Sequence, residues 1–121
     1  MRLLYVGDAL FVDANIVWHE STGEYHIDQY YVQSALRCLG VEIEDIDTGK
    51  GVHSWKIGED EFVMDRREGT ITKNGKNLMS YQFNSSSDIN LSVFAEITGC
   101  EVWFDEETRA VYARPLWEES L

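Results

Sequence analysis

Proline occurs once, at Pro115, and cysteine twice, at Cys38 and Cys100, in a chain of 121 residues. Two cysteines outside any C-x-x-C spacing exclude a disulfide framework and a cysteine-based zinc or redox motif, and they read as reduced, buried thiols. The near absence of proline, with no low-complexity tract, leaves no stretch that reads as an interdomain linker. No run of about 18 apolar residues is present, so no membrane-spanning helix is expected. The first apolar segment meets Asp8 too early to be the core of a signal peptide. From these absences the expectation is a cytoplasmic protein that does not bind membranes. Fixed-period repeats are missing, and so are G-x-G-x-x-G, G-x-x-x-x-G-K-[ST] and G-x-S-x-G. Phosphate-loop nucleotide binding and serine-hydrolase chemistry therefore have no motif behind them. No cofactor is expected, and an enzyme is the weaker reading.

Bases are also scarce: ten Lys and Arg face 22 Asp and Glu, a formal net charge of −12. The excess is uneven. Residues 1–49 hold nine acids against two bases, residues 50–85 five against six, and residues 86–121 eight against two. A polyanion would be repelled by such a surface, which disfavours direct binding to nucleic acid or to an anionic membrane. Arg66, Arg67, Lys73 and Lys76 lie close together in the balanced middle, either as an anion site or as partners for the acidic ends.

What remains is a chain with enough apolar residues for one core: 44% hydrophobic, including four Trp, six Tyr and five Phe. Its length suits one domain of about 100–150 residues. The expectation is a single compact α+β domain over residues 1–121, with a short C-terminal tail at 116–121. Leu3–Val6 reads as a buried strand, and Leu10–Trp18 as one strand or two around Asp13-Ala14-Asn15. From Asp28 the apolar period becomes helical, through Val32, Ala35, Leu36 and Leu39, with Gly40 as the stop, which predicts a helix at about 28–39. A βαβ-like opening follows if Val41–Asp47 is the next strand. The middle alternates as antiparallel strands, with Asn74-Gly75 marking a tight hairpin. Asn84–Asp88 supplies capping chemistry for a second helix at about 88–98, apolar on two faces and stopped by Gly99. Glu101–Arg114 reads as a final hairpin. The sum is a mostly antiparallel twisted sheet of about six to seven strands with two helices.

Two constellations carry chemistry. His19-Glu20, followed by His26 and Asp28, offers imidazole and carboxylate ligands to zinc or another divalent ion across a turn at Ser21-Thr22-Gly23. The second is the acidic surface itself: Glu42, Glu44, Asp45 and Asp47, then Asp105, Glu106 and Glu107, then Glu118 and Glu119 beside Trp117. Spaced carboxylates imitate a phosphate backbone and attract a basic groove, and a Trp rimmed by acids suits an interface anchor. The leading expectation is a non-enzymatic acidic protein that blocks a basic partner, such as a nuclease or other nucleic-acid-binding protein. A phage or mobile-element inhibitor of a defence nuclease, or an immunity-type partner of a toxin, would have this composition. Alternatives are an oligomeric module that sequesters a small molecule or nucleotide, and a metal-dependent enzyme built on His19 and His26.

Overall fold

Short apolar–polar alternations separated by glycine turns dominate the chain, and most of them become strands. The computed structural model describes residues 2–46, 51–80 and 88–117. Among these, two helices and twelve strands in three sheets form an α+β fold, with more strands than the sequence predicts. The order is β1 (Arg2–Val6), β2 (Ala9–Ala14), β3 (Ile16–His19), β4 (Glu24–Asp28), α1 (Tyr30–Cys38), β5 (Ile43–Asp45), β6 (Val52–Ile57) and β7 (Asp60–Asp65). Then come β8 (Thr70–Lys73), β9 (Lys76–Ser80), β10 (Asp88–Asn90), α2 (Leu91–Thr98), β11 (Cys100–Asp105) and β12 (Ala110–Pro115).

The first sheet runs β11-β12-β1-β2 and the second β10-β4-β3; the third is the meander β5-β6-β7-β8-β9. Among the described residues every pairing is antiparallel except β1 with β12, which lie far apart in sequence. The βαβ opening is thus not formed. Central parallel strands need apolar residues on both faces, and β5, with Glu44 and Asp45 exposed, lacks them. β1 has them. Leu4 and Val6 are buried, while Tyr5 on the other face stacks on Tyr112 of β12, which stacks in turn on Trp103 of β11.

Gly40 ends α1 as expected. At φ 78° it gives its N–H to the Arg37 carbonyl, while the N–H of Val41 reaches Leu36, a paired closure that satisfies two end carbonyls. The second helix begins three residues later than the sequence reading. Asp88, Ile89 and Asn90 alternate at period two and pair as β10 with Asp28, Ile27 and His26, burying Ile89. Asn90, not Asp88, is the N-cap, its side chain accepting from the Val93 N–H at 3.2 Å. Asn74 and Gly75 form the expected hairpin turn with φ of 52° and 82°.

α2 is covered on two sides. Phe94 and Ile97 are buried, and the helix packs on β4, β10 and β11. From the third sheet, the indole N–H of Trp55 donates to the Ile97 carbonyl at 2.8 Å. Lys73 crosses the Phe62 ring to reach Glu96 at 2.7 Å. One core cluster accordingly contains residues of all three sheets and both helices. The four central bases do not form one patch. Arg66 and Arg67 follow β7, Lys73 and Lys76 flank the turn after β8, and Lys73 and Arg67 pair with acids. Cys100 is buried, but Cys38 is exposed on the last turn of α1, contrary to the expectation for both thiols.

Gly99 ends α2 at φ 65°, and a Cβ there would lie 2.8 Å from Cζ3 of Trp117, which folds back over it. Around Gly40, also left-handed, a Cβ meets nothing within 4 Å. Gly40→Ala should therefore cost only the backbone term, about 1–2 kcal/mol, and Gly99→Ala more than about 2 kcal/mol, in urea denaturation. Trp55→Phe keeps an aromatic ring but removes the N–H that the Ile97 carbonyl accepts from and leaves a small void, and should cost about 2–4 kcal/mol.

Asp65 closes the turn after β7. Partial desolvation pushes its carboxyl up, but the N–H groups of Glu68 and Arg67 and the Arg67 guanidinium outweigh that and hold it below the usual range. A folded value below the unfolded one stabilises at neutral pH, and the gain is lost as pH falls through the folded value. The stability deficit of Asp65→Ala should be full at pH 7 and shrink once the medium is more acidic than about pH 4, the unfolded value.

Candidate functional site

In an antiparallel sheet, residues directly opposite one another share a face, as do residues two apart on a strand. Applied to β10-β4-β3, that rule puts Ile16, Ile27 and Ile89 on the core side. His19, Glu24, His26, Asp28, Asp88 and Asn90 fall on the other side. The sequence reading brought His19 and His26 together across a turn, and the two rings do stack, with centroids 3.9 Å apart and planes 20° from parallel.

Asp88 is the third member. Its Oδ1 lies 3.0 Å from His26 Nδ1 and its Oδ2 3.1 Å from His19 Nε2, so one carboxylate spans both imidazoles. The remaining nitrogen of His26, Nε2, lies 2.8 Å from Thr22 Oγ1, and that hydroxyl is also 3.4 Å from the His19 carbonyl. His26 is only 7% exposed, with both ring nitrogens engaged, whereas His19 keeps an open side. Ligand-type atoms of His19, His26 and Asp88 all fall within 4.8 Å of one another.

The other two candidate ligands lie outside this cluster. Glu20 is exposed in the turn after β3. Asp28 shares the face, but its Oδ1 accepts the Tyr30 N–H at 2.9 Å and so serves the start of α1. Glu24, opposite His19, accepts from the Asn90 amide at 3.1 Å. Asp88 and Thr22 were missed. Asp88 reaches His26 only through the pairing of β10 with β4, 62 residues apart in sequence, and the signal available was the Asp-Ile-Asn alternation read as capping chemistry.

The acidic residues divide between two places. β5 pairs only with residues 53–55 of β6, so Lys56 and Ile57 run past its end with no strand on that side among the described residues. A cleft of about 600 Å³ opens there. Glu42, Glu44 and Glu61 line it with the apolar Val41 and Ile57, and Trp117, 39% exposed, lines it too. Asp45 lies on the neighbouring surface beside His53 and Arg37, which Glu42 and Glu44 also border. Asp105, Glu106 and Glu107 are placed elsewhere. They form the turn side of the β11–β12 hairpin, whereas Trp117 follows its other end, where Cys100 pairs with Pro115. Asp47, Glu118 and Glu119 lie outside the described residues. No helix among the described residues is long and apolar enough to cross a membrane.

Comparison of the chain with protein-family models, with curated proteins and with solved structures returns no match.

Removing the carboxylate that spans the two imidazoles leaves Nδ1 of the buried His26 without that partner. Asp88→Ala should therefore lower stability by about 1–3 kcal/mol, while Glu20→Ala stays within about 0.5 kcal/mol, both read from urea denaturation.

Proposed function

We propose that this protein is a non-enzymatic acidic binding protein that occupies the basic surface of a partner protein, a surface of the kind that otherwise receives nucleic acid. The observation that carries this reading is the cleft beside β5, where Glu42, Glu44 and Glu61 surround an apolar strip ending in Trp117. A Lys or Arg side chain has the same two-part character, an apolar stem with a cationic head. It can lay the stem along Trp117 and Ile57 and direct the head to the carboxylates. Among the described residues Lys56 is the one base on the lining, so the field in the cleft favours a cation.

The edge of the third sheet supports the same reading. Beyond Ile43, Lys56 and Ile57 of β6 have no strand pairing to β5 and line the cleft, where an extended segment of a partner can align as an added strand. The acids at Asp105–Glu107 then act at longer range, raising the rate of encounter with a basic body more than the final affinity. Cytoplasmic action fits the exposed free thiol of Cys38. The charge pattern supports a blocking role, because carboxylates spread over a folded surface can compete with a phosphate backbone for one basic groove. Such a partner would be a nuclease or other nucleic-acid-binding protein, met as an anti-defence inhibitor or as an immunity-type protein meets its toxin.

The test is affinity capture on the full-length chain from lysate of its source cells, at low and at high salt. Basic proteins should be retained at low salt, released at high salt through screening, and lost at low salt from the Glu42→Lys/Glu44→Lys double variant. Retention that ignores both salt and charge reversal, or captured proteins that are themselves acidic, would overturn the reading.

A further inference from the structure

The second sheet carries on its polar face an arrangement that the partner-binding reading does not use. Three groups that ligate transition metals, two imidazoles and a carboxylate, come from three different strands: His19 from β3, His26 from β4 and Asp88 from β10. Each is fixed by backbone pairing in an antiparallel ladder rather than held on a loop. We infer that His19, His26 and Asp88 form a binding site for one divalent transition-metal ion of the zinc class.

Geometry comes first. Ligand atoms about 2.0–2.1 Å from a tetrahedral zinc ion lie roughly 3.3 Å from one another. Each carboxylate oxygen of Asp88 lies 3.0 or 3.1 Å from one imidazole nitrogen, and the ligand atoms of all three groups fall within 4.8 Å of one another, a span from which side-chain rotation draws them to that spacing around an ion.

The ring of His26 is held in the manner of a metal ligand. An imidazole that binds a metal through one nitrogen generally gives its other N–H to a fixed acceptor, which sets the tautomer. Thr22 supplies that acceptor at 2.8 Å from Nε2. When the threonine hydroxyl directs its own hydrogen to the His19 carbonyl, 3.4 Å away, it must accept from His26. Nε2 then carries the proton, and Nδ1 presents its lone pair to Asp88 Oδ1 at 3.0 Å. Without the ion the tautomer reverses, Nδ1 donating to Asp88 and the threonine hydroxyl donating to Nε2, so the metal ion takes the place of the proton between Nδ1 and Asp88.

Charge agrees with this. Two neutral imidazoles and one carboxylate leave a divalent ion with one net positive charge, in a chain whose formal charge is −12. The donor set, two nitrogens and one oxygen type, suits zinc and its neighbours better than calcium or magnesium, which prefer all-oxygen shells. Glu24, held by Asn90, does not complete the set, so a fourth position is left to water on the open side of His19.

The experiment uses the full chain, stripped with a chelator and titrated with zinc chloride by calorimetry, and separately with cobalt(II), whose visible absorption reports coordination number. One ion per chain is expected, with the intense visible band of low-coordinate cobalt. His19→Ala and Asp88→Asn should each weaken binding by more than about tenfold, and Thr22→Val by about tenfold through the ring it orients. Glu20→Gln should leave affinity unchanged. His19 is partly exposed, so His19→Ala keeps the test alive if Asp88→Asn fails to fold, and circular dichroism of each variant separates the two causes. The proposal is overturned if neither metal binds. It is equally overturned if His19→Ala, folded by circular dichroism, binds as tightly as the parent, which would place the ion on the general acidic surface. A carboxylate-bridged histidine pair with no metal affinity is the first of these outcomes.

Discussion

The hydrogen bond from the Trp55 indole to the Ile97 carbonyl is the point on which the assembly of three separate sheets depends. A short helix leaves its last carbonyls without intrahelical partners, and a buried orphan carbonyl is costly. α2 ends inside the molecule, so its carbonyls must be met by protein. Gly99 turns the chain and returns its N–H to Ala95, the Thr98 hydroxyl takes Phe94, and Trp55 of the meander takes Ile97. Because that last donor belongs to a different sheet, closing the helix also docks the meander on the rest of the core. Trp117 then lies against Gly99 and Ile57, which is why the cleft forms where it does.

Acidity imposes a second constraint, and the structure meets it locally. In β10–β4, Asp88 stands directly opposite Asp28, a register that sets two carboxylates against each other and is unfavourable by itself. Each carboxylate has donors of its own. Asp28 takes the Tyr30 N–H at the start of α1, and Asp88 takes the two imidazoles. The histidine cluster is therefore a structural consequence of a like-charge pair as much as a chemical site, and a cation placed there relieves the repulsion further. Lys73 does comparable work on the meander. It hydrogen-bonds Glu96 and lies near Asp60, and that pairing holds its ammonium above its ordinary value.

Sequence patterns revealed what is local. The Asn74-Gly75 turn, the stop at Gly40, the break at Asn15 between β2 and β3 and the facing of His19 and His26 all rest on residues within a few positions of each other. What escaped is non-local. Nothing in Leu3–Val6 says that it will lie beside Ala110–Pro115, because an apolar run on two faces fits any central position in a sheet. Asp88 escaped for a different reason. Asp and Asn before an apolar run are ordinary capping residues, so the period-two placement of Ile89 against Ile27 was hidden beneath a stronger local signal, and with it the third group of the cluster. The acidic runs show the converse. Their composition was plain, but only the early end of β5 shows that Glu42 and Glu44 share a cleft with Trp117 while Asp105–Glu107 does not.

α2 ties the two candidate sites to one element. Its first turn follows Asn90, which caps the helix and holds Glu24 on the face of the histidine cluster; its last turn ends at Gly99 beneath Trp117 and the cleft. Eight residues at about 1.5 Å each separate these ends by only about 12 Å. A helix this short has little stability of its own and is held by its caps and by burial on two sides. Both caps, at Asn90 and Gly99, therefore belong as much to the two candidate sites as to the fold, and α2 cannot be repacked for stability without disturbing the groups that would carry function.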